Sequence, residues 1–117
     1  MNIEEFRIYC FKKKGVSEEF PFDQNTLVFK VMGKMFALTD VNSFASVNLK
    51  CDPEKAVELR ENYDFVKPGF HMNKAHWNTV EIDWRIEDSL LISWIDDSYD
   101  LVAKSLTKKQ KEALHNL

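Results

Sequence analysis

Residues 50–79, KCDPEKAVELRENYDFVKPGFHMNKAHWNT, decide how this chain folds. They continue a strand, Ala45–Lys50, in which Val47 and Leu49 alternate with polar neighbours. Asp52-Pro53 then opens a helix, with Asp capping the free amides and Pro at the first helical position. That helix is predicted to end near Asn62. A short strand around Phe65–Lys67, a Pro68-Gly69 turn and a polar cluster follow. Within the cluster, Asn73-Lys74-Ala75-His76-Trp77 reads as one helical turn capped by Asn73, with Trp77 packed down and Lys74 and His76 projecting outward. No carboxylate occurs between Phe65 and Val80, whereas Lys67, His71, Lys74 and His76 are all present. Core packing does not require an acid-free, cationic, aromatic loop, and loops of this kind are where folds carry binding groups.

Working outward, Asn2 and Glu5 form a capping-box pattern at the start of a helix running from Ile3 to about Lys13, with Gly15 placed to end it. Gly15 to Asp23 reads as a loop tacked to the core by Phe20 and Phe22. Strands Thr26–Met32 and Lys34–Thr39 are joined tightly at Gly33, with Lys30 and Lys34 flanking the turn on the solvent side. Beyond the polar cluster come a strand near Thr79–Trp84 and a long helix from about Ile86 to Ser105. Leu90, Leu91, Trp94, Ile95, Ser98, Leu101 and Val102 trace its apolar stripe. Thr107 with Gln110 caps a short final helix. The order α-β-β-β-α-β-β-α-α predicts an α+β fold: an antiparallel sheet with helices mainly on one face and part of the other face open.

The chain has 117 residues, 44% hydrophobic and 13% aromatic, which predicts a single domain over 1–117 with its own core. Three Gly and three Pro argue against disorder or a long linker. No apolar run suits a membrane span, and MNIEEFRIYC lacks the basic start and apolar block of a secretion signal. Cys10 and Cys51 form no CxxC, so the expectation is a cytoplasmic, monomeric protein with reduced thiols. The net charge of −3 is unevenly spread. Glu81, Asp83, Glu87, Asp88, Asp96, Asp97 and Asp100 face only Arg85 in residues 81–100, whereas Lys104, Lys108, Lys109 and Lys111 make the end basic. Local potential, not total charge, decides whether a phosphate is attracted.

There is no GxSxG, no phosphate-cradling glycine loop and no HExxH. Cys51 with His71 or His76 suggests a nucleophile–base pair, but a thiol beside a helix cap accounts for it as well. The same three residues match no closed zinc spacing. Asp96, Asp97 and Asp100, close together on the long helix, could hold a hard cation weakly or form a solvated face. No cofactor, metal or catalytic residue is expected. Hydrogen-bond donors around an aromatic suit phosphate contacts, and the three Arg offer little for base reading.

VNLKCDPEKAVELRENYDFVKPGFHMNKAHWNTV, with TLVFKVMGKMFAL before it and DDSYDLVAKSLTKKQ after it, closely resembles the MmcQ/YjbR-like family, described as double-wing DNA-binding proteins. The resemblance implies a frataxin/CyaY-like sandwich, hairpins that act as wings against a duplex, and no enzymatic activity or cofactor. The matching positions include Lys30 and Lys34, Lys50-Cys51-Asp52-Pro53, Pro68-Gly69, His71-Met72-Asn73-Lys74 and His76-Trp77-Asn78-Thr79. One departure is visible after Ile82-Asp83, where the glycine turn of the second wing is missing. The expectation is therefore a non-enzymatic DNA-binding domain. Lys30, Lys34, Lys50, Lys67 and Lys74 would meet phosphates, and His71, Asn73, His76 and Asn78 would donate near the groove. The alternative is a protein-interaction module that uses the open sheet face and Trp77. A cation-carrying role like that of frataxin-fold relatives stands third.

Overall fold

A computed structural model describes all residues, 1–117. Helix α1 (Ile3–Phe11) starts at the expected capping box: Asn2 Oδ1 accepts from the Glu5 amide (2.8 Å) and Glu5 Oε1 from the Asn2 amide (3.1 Å). Phe6 and Cys10 are its buried residues. Gly15, at φ 70, turns the chain into strand β1 (Val16–Glu19). This strand corrects the expected loop over Gly15–Asp23. Val16-Ser17-Glu18-Glu19 has no apolar alternation. It is a strand because it pairs antiparallel along β2 and because Arg7 of α1 grips Glu18. Phe20 and Phe22, expected to tack the loop down, are exposed.

Strands β2 (Thr26–Val31) and β3 (Lys34–Asp40) form the expected hairpin. Met32 (φ 48) and Gly33 (φ 85) both take the left-handed conformation that a two-residue turn demands. The register slips between Phe29 and Lys30, leaving one extra residue in β3, so Phe36 and Ala37 are both fully buried. Strand β4 (Ser46–Lys50) leads to helix α2 (Pro53–Asn62). Asp52 makes no side-chain cap bond there, contrary to expectation; its carbonyl accepts from the Ala56 amide instead. Strands β5 (Val66–Pro68) and β6 (Trp77–Glu81) precede helices α3 (Asp88–Lys104) and α4 (Lys108–His115). Thr107 and Gln110 cap α4 reciprocally, as expected. Strand β6 ends before Trp84, which lies in a turn closed by Asp83 rather than by glycine and is 91% exposed.

The six strands lie in the order β1-β2-β3-β4-β6-β5, antiparallel throughout. The fold is thus α+β, with one more strand than expected. Leu27, Phe29, Val31, Val47, Leu49, Val66 and Val80 point to the helix side and join Phe6, Leu91, Trp94, Ile95 and Val102 in one core. Burying each such side chain contributes about 1.5–3 kcal/mol. Two polar residues stitch the layers. Ser98 of α3 donates to the Phe36 carbonyl (2.6 Å) and accepts from the Lys50 amide (2.8 Å). Asn78 of β6 accepts from Arg60 Nε (2.6 Å) and donates to the Ala56 carbonyl (3.3 Å) of α2.

Antiparallel register also sorts the connections. Val16 pairs with Val31, Ala37 with Leu49 and Lys50 with Trp77. One end of the sheet, the hairpin end, therefore carries the α1–β1 turn, Met32-Gly33, the β4–α2 junction and the start of β6. Lys34 Nζ reaches the Ser105 carbonyl and Lys14 Nζ the His115 carbonyl, which brings the end of α3 and all of α4 to the same pole.

Candidate nucleic-acid interface

The sheet face away from the helices carries Val28, Lys30, Met35, Leu38, Asn48, Lys50, Lys67, Trp77 and Thr79, since their strand neighbours point into the core. Phe70 and Met72, from the β5–β6 loop, fold back over it. The Phe70 amide donates to Thr79 Oγ1 (2.8 Å), and Asn48 Nδ2 donates to the Phe70 carbonyl (3.1 Å). Met72 and Met35 pack against Val28, Leu38 and Trp77, a second small core. Trp77 is only 7% exposed, so it cannot offer a partner the ring surface that the protein-interaction alternative assigned to it.

The expected phosphate-contacting residues divide. Lys30 is ion-paired with Glu19, across the neighbouring strand. Lys34 leans toward the helices, donating to the Ser105 carbonyl (3.1 Å) at the end of α3. Lys50 and Lys67 stand on the face away from the helices, and neither forms an ion pair. Two strand spacings of about 4.8 Å and a two-residue step of about 7 Å separate their backbones. Lys74 Nζ donates to the Gly69 carbonyl (2.8 Å) and retains two further protons. His71 is exposed at φ 60 with its ring 4.1 Å from that of Phe70. His76 is exposed, and its carbonyl accepts from the Cys51 amide. Asn73 Oδ1 accepts from the Ala75 and His76 amides (2.9 and 3.2 Å), holding the expected turn.

Asn78 corrects the expectation outright. It is 2% exposed, faces α2 and has both ends of its amide engaged there, so it has no route to a nucleic-acid groove. Strand alternation is the reason: Trp77 and Thr79 occupy the other face. Lys30 and Lys34 also fail to form a matched wing, because cross-strand alternation and the reach to Ser105 send them apart.

The hairpin end nonetheless gathers more positive charge than the expected residues alone. Lys12, Lys13 and Lys14 follow α1, Lys104 ends α3, and Lys108, Lys109 and Lys111 lie on α4, at the same end of the sheet as Lys34, Lys50 and Lys74. Against them stand Asp52, Glu54, Asp96, Asp97, Asp100 and Glu112. The opposite end carries Asp23, Asp40, Glu81, Asp83, Glu87 and Asp88, with Arg85 paired to Glu81 and Asp83. The runs KKK and KKQK were visible in the sequence, but their meeting was not.

A groove of about 740 Å³ opens on the face away from the helices toward the acidic end, between Phe22 (65% exposed) and Phe70 (66% exposed). Met35 and Leu38 line its apolar part, and Asp23 and Asp40 its polar part. The Asp23 carboxyl is held below its ordinary range by the amides of Thr26 and Asn25 and by the Thr26 hydroxyl. Cys51 has its thiol pushed up by burial, the opposite of nucleophile activation. Of Asp96, Asp97 and Asp100 on α3, Asp96 is taken by Lys13 (2.5 Å) and by the Tyr9 hydroxyl (2.6 Å). No group of three or more His, Cys, Asp or Glu side chains comes together. No helix is long and apolar enough to cross a membrane.

Comparison with known proteins agrees with this architecture. A family model described as YjbR matches residues 11–101. The chain is 34% identical to YjbR, an uncharacterized protein of Escherichia coli (strain K12), over the whole of both chains. It is 38% identical to the uncharacterized protein YbdF of Escherichia coli O157:H7, across 80% of this chain and 77% of that one. The crystal structure of Deinococcus radiodurans protein DR2400, with a DUF419 domain, superposes with a TM-score of 0.90 at 39% identity. That match covers 97% of this chain and 88% of the other.

Proposed function

The chain belongs to the YjbR family, and on that premise we propose that it is a non-enzymatic DNA-binding protein that grips duplex backbone with the basic, hairpin end of its sheet. The reading is supported by one observation above all: strand register and the packing of α4 collect Lys34, Lys50 and Lys74 with the lysines that follow α1 and lie on α4 at one pole, where lysines outnumber carboxylates, whereas the carboxylates of the other pole face Arg85 as their one cationic side chain. A molecule polarised in this way orients its positive end toward a polyanion despite a net charge of −3. Lys50, Lys67 and Lys74, none of them ion-paired, are the contacts retained from the sequence, with His76 as a neighbouring donor, whereas His71 lines the groove that holds Asp23 and Asp40. Lys34 joins them through its ammonium protons not used by Ser105. The upward shift of the Cys51 thiol and its lack of a histidine hydrogen bond support the non-enzymatic part.

Fluorescence anisotropy with a short labelled duplex tests it. With three or four phosphates engaged, log affinity falls with log salt at a slope of about −3 to −4, a roughly 60- to 250-fold loss between about 50 and about 200 mM salt. Lys50→Glu with Lys74→Glu weakens binding further. Absence of binding at the lower salt, or a flat salt dependence, removes the proposal.

The groove favours a second reading, a polypeptide-binding face. Two unpaired carboxylates repel phosphate, whereas Phe22, Phe70, Met35 and Leu38 suit an apolar segment bearing Lys or Arg. Peptide display on the protein should enrich such segments, and Phe22→Ser with Phe70→Ser should abolish the enrichment. A selection that yields no basic-apolar consensus rejects this reading.

A further inference from the structure

The lysine runs that sequence reasoning left unassigned meet in a shallow concavity of about 470 Å³ among the α1–β1 turn, α3 and α4. Its lining is Lys13, Lys14, Tyr99, Lys111, Leu114 and His115, with no carboxylate. Three features build it. The Tyr99 hydroxyl donates to the Lys14 carbonyl (2.6 Å) and fixes the turn against α3. Gly15 lets α4 approach so closely that a Cβ there would lie 2.7 Å from Leu114 Cδ1. Lys14 Nζ lies 3.4 Å from the His115 carbonyl, which ties the last turn of α4 to the same wall.

The charges within reach are not balanced. Lys13 is neutralised by Asp96. Asp100 and Glu112 follow Tyr99 and Lys111 in sequence but do not line the concavity. Lys14 and Lys111 form no ion pair. Complementing the end of α4 accounts for Lys14, since a cation there satisfies a terminal carbonyl. It does not account for Lys111, which lies within the helix and points into the same hollow.

We propose that this concavity is a phosphate-binding site, in which Lys14, Lys111 and His115 donate to a single phosphate group of the nucleic-acid backbone. The identity of the ligand rests on the DNA reading above; the affinity for phosphate does not. The site extends the contact surface from the sheet edge onto the helical layer. A duplex lying across the hairpin end is then held at two separate points.

The test uses the intact protein, with Lys14→Glu/Lys111→Glu and the milder Lys14→Gln/Lys111→Gln as variants. Both residues are exposed, and thermal unfolding checks that the fold persists. Amide NMR with inorganic phosphate should shift Lys14, Gly15, Tyr99 and His115 in the wild type and in neither variant. With labelled duplex, losing the contact to one phosphate should make the salt slope shallower by about 1. Duplex binding with an unchanged slope and no phosphate-induced shifts would overturn the inference and leave the DNA reading intact. Phosphate shifts at these amides without any duplex binding would support the site and reject the DNA reading. Shifts that persist in both variants would overturn the assignment to these lysines.

Discussion

Ser98 and Asn78 show how single polar residues hold this fold. Ser98, fully buried, is the only side chain that bonds both the bulged Phe36 carbonyl and the Lys50 amide. Ser98→Ala leaves both groups without a partner and should cost about 1–3 kcal/mol in urea unfolding. Asn78→Ala leaves Arg60 Nε without its partner and removes the second donor to the Ala56 carbonyl, and should cost about 1–3 kcal/mol as well. If the DNA reading holds, duplex affinity measured well below the unfolding transition stays unchanged, because Asn78 faces α2. The glycines differ in the same local way. Gly33→Ala meets open space and only the left-handed backbone strain of roughly 1–2 kcal/mol. Gly15→Ala has that strain plus the contact with Leu114, so it should destabilise more. Equal costs in the two variants would show that α4 does not press on the turn. Sequence inspection found Gly15 and Gly33 as chain-reversing residues. It could not rank them, because the neighbour of Gly15 lies about a hundred positions away.

At the scale of elements, α1 carries the clearest pH dependence. Burial pushes the Cys10 thiol from its ordinary 9.0 up to about 12, and burial with the bond to Asp96 pushes the Tyr9 hydroxyl from 10.0 to about 12. Both groups hold their protons more tightly folded than unfolded. The stability they contribute is therefore complete below the unfolded values and declines as pH rises from about 9 toward about 12. Denaturant melts across this window should show α1 and its partners loosening, and Cys10→Ala should flatten the thiol's share. The Asp23 carboxyl behaves in the opposite sense. Its depressed folded value means that its contribution is present above the ordinary carboxylate range and is lost as pH falls through the folded value. Amide exchange at Asn25 and Thr26 should accelerate there, and Asp23→Asn should remove that acid dependence. Strand β1, next to this corner, was illegible in the sequence because its four residues become a strand only through pairing with β2. The long helix α3 was legible because its apolar stripe is its own.

For the whole molecule, polarity along the strands is the property with consequences. A single antiparallel register puts basic turns at one end and acidic turns at the other, so binding to a polyanion depends on orientation and falls with salt. Moving a carboxylate to the basic pole, as in Lys50→Glu, should weaken duplex binding. The same reversal at the acidic pole, Asp83→Lys, should leave it unchanged or raise it slightly. Equal effects from the two changes would mean that net charge, not its distribution, governs the interaction.

Family membership, the α+β class, nearly every helix and strand, and the acid-free loop at 65–80 were determined by the amino-acid sequence alone. Periodicity, caps and turn residues are local properties of a chain, and they can be read in order. Tertiary structure alone decided which cations gather and which are spent. Lys30 meets Glu19, Asn78 turns under α2, and Lys14 arrives beside Lys111, all through register and layer packing between distant segments. A side chain's surroundings are set by the strand beside it and the helix above it. Linear order specifies neither until the sheet has formed.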